Sequence, residues 1–359
     1  MKRSREINGI AGDAGGLSPR YVAAGEVPSW RAQVVSRRSL RYDAGADPAQ
    51  DRPDHVRAAS AVAWFGGRLA VLQDDALFVA FVDPRSGRVD AVALPAAADG
   101  RRLFDEGLGN KSMKPDLEAG LVLAAPDGER LLAFGSGSTA RRDTILVLRG
   151  ARETPEIRVV EAGALYALLR DLPEFAGSEL NVEGACAAEG GRLVRLFNRG
   201  NGAPGGGRTP RDATCDLDAA TLLRWLDDPH REPPQPCAVT VFDLGTVDGV
   251  RLTFTDAEAI AGGVLYVAAA EASPDAVRDG PVAGVAVGVI DERGARWTRV
   301  LDERGRPLCE KIEGIAPDQA DPRRVWAVVD ADDPERPASL LALELAFDTT
   351  PEPPAGPAA

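Results

Sequence analysis

The sequence predicts an all-β fold, a five-bladed β-propeller of four-stranded antiparallel blades, and three observations carry that expectation. A short motif recurs five times along the chain. Each copy is followed by an apolar strand pattern, and each interval between copies holds several short strands separated by turn residues. The motifs are RAASAV (57–62), KPDLEAG (114–120), LNVEGA (180–185), FTDAEAI (254–260) and KIEGIA (311–316). Aligned on Ser60, Glu118, Glu183, Glu258 and Glu313, they are spaced by 58, 65, 75 and 55 residues. Repeats of this period point to stacked supersecondary units, of which propeller blades are the all-β form. A ring with a sixth, degenerate blade is the alternative.

Each motif opens the first strand of its unit. The second strands are RLAVLQDD (68–75), RLLAFGSGS (130–138), RLVRLFNRGN (192–201), GVLYVAAAEAS (263–273) and RVWAVVDADD (324–333). All begin apolar and end in a polar loop. The third strands are ALFVAFVDP, DTILVLRG, CAVTVFDLG, VAGVAVGVID and SLLALELAF. Their apolar character on both faces fits sheets covered on both sides. A more polar fourth strand closes four units, as RVDAVALP, EIRVVEAG, VRLTFTD and RWTRVLDE. Gly, Pro, Asp and Asn punctuate the joins, as hairpin turns require.

The fifth unit has no fourth strand of its own. RAQVVSRRSLRY (31–42) is strand-like and belongs to no other unit. It is therefore expected to close the last blade. Residues 1–29 then form a flexible leader, 30–348 a single propeller domain, and the Pro-rich 349–359 a disordered tail. Residues 202–236 interrupt the third unit, and within them DLDAATLLRWLDD (216–228) has helical spacing, an acidic start and Pro229 as a stop. This insert is expected to be either surface decoration or a lid over the ring, with helix confined mainly to it.

With a net charge of −13, the 359-residue chain is expected to bind neither nucleic acid nor an anionic membrane. Its four cysteines form no CxxC pair, and neither His55 nor His230 accompanies one, which argues against a zinc site. With no apolar leader and no apolar run of membrane-spanning length, a cytoplasmic monomer is the expectation. The histidines fall outside the motifs, which argues against a Ser-His-Asp hydrolase. GNGAPGGG (200–207) lacks the Lys-Ser/Thr of a phosphate loop.

The innermost strand of a blade lines the central channel. Ser60, Glu118, Glu183, Glu258 and Glu313 should therefore converge on the axis as one hydroxyl and four carboxylates. Like charges this close demand protonation or a cation. Oxygen donors without His or Cys select a hard ion such as Ca²⁺. Solvation of the acids in a wet channel is the plainer alternative, as is pairing with Lys111, Lys114 or Lys311. The loops before the first strands and after the second strands share one rim, which gathers Lys111, Lys114, Asp116, Arg142, Arg199 and many carboxylates. Such a rim suits a metal together with a small anionic or sugar-like ligand. Asp74, Asp75, Lys114, Arg199 and Asp330 are the candidate catalytic groups there.

The "EG" and "EA" openings, KIEGIA above all, resemble those of phytase-like and gluconolactonase-like bacterial propellers. The order Ser60, Glu118, Glu183, Glu258, Glu313 also resembles the calcium-activated nucleotidases (apyrases). That resemblance implies five blades and a central Ca²⁺ held by serine and glutamate side chains, one per blade, with serine expected where this chain offers Glu258. QDDALF (73–78) lacks the Arg-Thr-Gly that follows the paired aspartates in those enzymes. Two function classes follow. One is a metal-dependent hydrolase of a phosphoester or lactone. The other is a non-catalytic propeller that binds a ligand or a protein, with a structural ion.

Overall fold

The computed structural model describes residues 18–150, 154–272 and 280–347. Two N-terminal strands, β1 (Arg20–Glu26) and β2 (Arg31–Ser39), precede the first motif. The first sheet is β3 (Ala59–Phe65), β4 (Arg68–Gln73), β5 (Phe78–Val82) and β6 (Val89–Ala93), paired in that order. The second is β7 (Leu117–Ala125), β8 (Gly128–Gly135), β9 (Thr144–Arg149) and β10 (Glu156–Glu161). Two helices, α1 (Gly163–Arg170) and α2 (Pro173–Ala176), lead into the third sheet. That sheet is β11 (Val182–Ala188), β12 (Leu193–Asn198), β13 (Asp212–Asp218) and β14 (Cys237–Asp243), with α3 (Ala219–Asp227) between its last two strands.

A two-residue strand, β15 (Thr246–Val247), folds onto the start of β16 (Val250–Ile260). β16 pairs in turn with β17 (Gly263–Glu271), β18 (Val282–Asp291) and β19 (Gly294–Leu301) as the fourth sheet. The fifth comprises β20 (Ile312–Pro317), β21 (Arg324–Val329) and β22 (Ser339–Ala346). Its outer strand is β2, antiparallel to β22 from Arg31↔Ala346 to Ser39↔Ser339. Trp30 stacks on Phe347 at 4.3 Å between ring centroids and so fastens the start of β2 to the end of β22. No sixth four-stranded sheet occurs among the described residues.

The core is divided among the gaps between sheets. Leu72, Phe65 and Leu131 fill the first gap, between the first and second sheets. Phe134, Tyr166, Leu196 and Trp225 fill the second. Phe197, Phe242, Phe254 and Tyr266 fill the third, where the other three rings meet Phe254 edge-on at 5.2–5.4 Å. Val267, Val287, Ile315 and Leu343 occupy the fourth, and Val71, Val82, Val328 and Leu340 join the fifth sheet back to the first. Each sheet is thus buried on both faces, as its runs of apolar residues anticipate, and the architecture is propeller-like.

Three expectations are corrected. Residues Arg20–Glu26, assigned to a flexible leader, form β1, which runs parallel to β14 through Arg20–Ala23 and then parallel to β19 through Ala24–Glu26. The remainder of that leader through residue 17, and the tail over 349–359, lie outside the described residues. Residues 202–236 are neither decoration nor lid. They carry β13, the third strand of their sheet, which moves CAVTVFDLG to fourth place and VRLTFTD into the inner strand β16. The three aspartates of β13 make it read as a loop. Asp216, however, is buried against Arg195 at 2.7 Å, and Asp212 against Arg251 at 2.8 Å. Nor is helix confined to 216–228. α1 and α2 seat Leu165, Tyr166, Leu169 and Phe175 in the same gap as Trp225 of α3.

Excision of residues 202–236 is therefore expected to give an insoluble chain, because it removes a central strand and Trp225. A soluble product with an unchanged melting temperature would contradict this pairing. A milder probe is Gly314→Ala. A methyl there would lie 2.7 Å from Val62 N and 2.8 Å from Ala61 Cα in the neighbouring inner strand. A loss of about 1–3 kcal/mol in urea unfolding is expected, as for other overpacked positions.

Candidate functional site

Every inner strand is interrupted once, and always at the same place. The register of β3 slips between Ala59 and Ala61, of β7 between Leu117 and Ala119, and of β11 between Val182 and Gly184. In β16 it slips between Phe254 and Asp256, and in β20 between Ile312 and Gly314. The extra residues at these bulges are Ser60, Glu118, Glu183, Thr255 and Glu313. A bulge re-aims one side chain out of the ladder. Four of these five, all but Thr255, line a cavity of about 540 Å³. The glycine of the "EG" motif answers a different need. A methyl at Gly184 would come within 3.2 Å of Asp256 Cα, so glycine lets adjacent inner strands approach closely.

The fourth position is thus Thr255, and the expected Glu258 is not part of this set. It lies three residues farther along β16, opposite Leu265, and does not line the cavity. The alignment followed the charge rather than the bulge. A polar–apolar–polar pattern would have located the residue. Asp116-Leu-Glu118, Asn181-Val-Glu183 and Lys311-Ile-Glu313 match Thr253-Phe-Thr255. Thr255 is 1 % exposed, and its Oγ1 has no hydrogen-bond partner among the described residues.

At two of the bulges the residue two places earlier supports the ring. Asn181 Nδ2 donates to Glu183 Oε1 at 2.7 Å, and Lys311 Nζ pairs with Glu313 Oε1 at 2.8 Å. Arg199, 3 % exposed, extends Nε to Thr253 Oγ1 at 3.2 Å, Nη1 to Glu183 at 3.4 Å and Nη2 to Glu271 at 2.6 Å. On the opposite side Lys114 Nζ bonds Asp74 Oδ2 and pairs with Asp116 Oδ1 at 2.7 Å. Arg142 and Ser136 hold the other Asp116 oxygen at 2.7 and 2.5 Å. Of the proposed lysine partners, Lys114 and Lys311 reach ring or cluster acids, while Lys111 reaches the exposed Glu106 at 3.4 Å.

Asp74, Lys114, Arg199 and Asp330 of the catalytic candidates line the cavity. Asp75 does not, being turned toward Arg57 at 2.6 Å. Burial, reinforced by the Asp74 charge, pushes Asp75 up to about 7 against the pull of Arg57. Burial also raises Asp330 to about 6, with Asp74 and Asp332 adding repulsion. Glu118 is raised well above the carboxylate range by burial and by the charges of Asp116, Asp74 and Glu183. Burial opposes ionisation of Asp116 too, but there Lys114 and Arg142 prevail and hold it low. Glu313 rises to about 8 because burial outweighs its pairing with Lys311. The ligand oxygens of Asp74, Asp116 and Glu118 lie within 4.8 Å of one another, which makes them a possible metal cluster.

Glu258 offers a check that is separate from the ring. Burial pushes its carboxyl up to about 7 from an ordinary 4.5. The folded state then binds the proton more tightly than the unfolded chain. Its contribution to stability is fully present below about pH 4.5 and is lost as pH rises through about 7. Glu258→Gln should flatten one increment of that decline, seen as urea midpoints that change less between these two limits than in the wild type.

No described helix is long and apolar enough to cross a membrane. No curated protein matches the chain. Among solved structures, the chain is similar to the glutaminyl cyclase of Myxococcus xanthus at 10 % identity and a TM-score of 0.42, covering 92 % of this chain and 100 % of that one. It is also similar to the calcium-binding protein regucalcin of Agrobacterium tumefaciens, at 12 % identity and a TM-score of 0.39, covering 91 % and 97 %. A gluconolactonase-family structure aligns at 12 % identity and a TM-score of 0.37, covering 89 % and 93 %. A family model matches residues 55–345, and the chain accordingly belongs to that family, one of unknown function (DUF6929).

Proposed function

We propose that this chain is a five-bladed propeller that holds a divalent cation, Ca²⁺ by preference, at the mouth of its channel and uses it to hydrolyse a small phosphoester or lactone. One observation carries the reading: five inner strands bulge at one equivalent position, and every residue so displaced bears an oxygen side chain, Ser60, Glu118, Glu183, Thr255 and Glu313. Oxygen donors alone favour a hard ion. The hydroxyl of Thr255 also stands where resemblance to the calcium-activated nucleotidases implies serine. The five apolar gaps, closing from the fifth sheet back to the first, support the blade count.

In this reading Ser60, Glu118, Glu183, Thr255 and Glu313 would hold the ion, which would supply a Lewis acid to polarise the substrate or activate water. Asp330, with its raised affinity for a proton, is the group best suited to act as base near neutral pH. Arg199 is held by three partners and serves to orient, while Asp75 is withdrawn from the chemistry by Arg57. The withdrawal of Asp75 also favours the second reading, a non-catalytic propeller that binds a small anionic ligand around a structural ion.

Calorimetric titration should show Ca²⁺ binding, with Mg²⁺ weaker because it prefers a tighter octahedron. Ca²⁺ should raise the melting temperature and a chelator lower it. Thr255→Val and Glu183→Gln should each weaken Ca²⁺ by about tenfold or more, a change of roughly 1.4 kcal/mol, and Glu258→Gln should leave it unchanged. The absence of any calcium response would defeat the metal reading. A screen of phosphoesters, nucleotides and lactones with and without Ca²⁺ separates the two readings. Turnover that a chelator abolishes supports hydrolysis, and calcium binding without turnover supports the structural ion.

A further inference from the structure

We propose that Lys114 is the resident cation of the carboxylate cluster at the cavity edge, a built-in ammonium that a divalent metal displaces, so that metal binding delivers a free lysine amine to the cavity. The inference rests on the metal reading above, adds Asp74 and Asp116 to the ring's Glu118 as ligands of that ion, and specifies how the site is regulated. The Lys114 ammonium bonds both Asp74 and Asp116, whose ligand oxygens with that of Glu118 span no more than 4.8 Å. It therefore occupies the side of the cluster where an ion sharing these ligands would sit. Its side chain is 13 % exposed and that of Asp74 19 %, so the contact is shielded from competing water.

Two features make this occupancy incomplete. The Oδ1 atom of Asp74 is buried and has no hydrogen-bond partner, and Glu118 faces the cavity with no hydrogen bond or ion pair among the described residues. A divalent ion in place of the ammonium would satisfy both open acceptors. Arg142 need not move, because it already shares its Asp116 oxygen with Ser136. Lys114 can move, since a single ammonium on a flexible four-carbon stem has no fork geometry to lose. The cavity that Lys114 lines also carries Arg142, Arg199 and Lys311, so the released amine would join the cations there that can meet an anionic ligand.

The test uses the full chain and Ca²⁺ alone. Wild type, Lys114→Met and Lys114→Gln are titrated by calorimetry. In parallel, the Lys114 amine of the wild type is labelled with an acylating reagent, with and without Ca²⁺, and read by mass spectrometry. Both variants should bind Ca²⁺ at least about tenfold more tightly, and Ca²⁺ should raise labelling of Lys114 severalfold. Lys114→Gln retains an amide donor for Asp74 and Asp116, so it reports affinity even if the methionine variant fails to fold without metal. Calcium binding in the wild type with no gain in a folded variant, or labelling indifferent to Ca²⁺, overturns the role of Lys114 and leaves the metal reading standing. Absence of calcium binding in all three proteins overturns both.

Discussion

The close approach of five backbone strands around one axis is the constraint on which the rest of this molecule depends. Where Gly184 meets Asp256 and Gly314 meets Ala61, no side chain fits between neighbouring strands. Each strand must then expel one residue, and it does so through a bulge. Four of the five expelled side chains, all but that of Thr255, line the cavity. Packing therefore decides which residues meet at the site, and the identity of those residues decides its chemistry.

The consequence is electrostatic. Three glutamates and the neighbouring aspartates are gathered where water is scarce, and isolated carboxylates there would be costly. The chain offsets this unevenly. Glu183 and Glu313 are each met by cations of the rim, Arg199 and Lys311, and Asp116 by two at once. Glu118 receives no direct partner among the described residues and is driven toward its protonated form. The site is thus neutralised on one flank and poised on the other. Burial raises both Asp75, although Arg57 is bound to it, and Asp330, which faces other acids.

Much of this was legible in the sequence, and what was not has identifiable causes. Ser60, Glu118, Glu183 and Glu313 could be read because each opens an apolar strand and recurs at a blade-like interval. Thr255 escaped because an acid three residues later imitates the motif, while a bulge leaves no mark in composition. β13 escaped because Asp212, Asp216 and Asp218 mask the inward alternation of Ala213, Cys215 and Leu217, and the arginines that compensate two of them are distant in sequence. β1 escaped because its partners are strand edges more than two hundred residues away, and no local pattern encodes a parallel edge contact. The pairing of 31–42 with the last unit was expected from a count of missing strands, and β2 does lie against β22.

That pairing bears on how the chain can be made. Arg31 lies opposite Ala346, so β2 waits for an antiparallel partner that is synthesised more than three hundred residues later. β1 likewise waits for β14 and β19. Until β22 is made, β2 is an unpaired strand, and the fifth sheet cannot be completed before residue 346 has emerged. Contacts so remote in sequence slow folding, and the exposed edges invite association with other nascent chains. The basic outer half of β2, Arg37 and Arg38, suits that waiting period, because charged edge residues discourage pairing with the wrong strand.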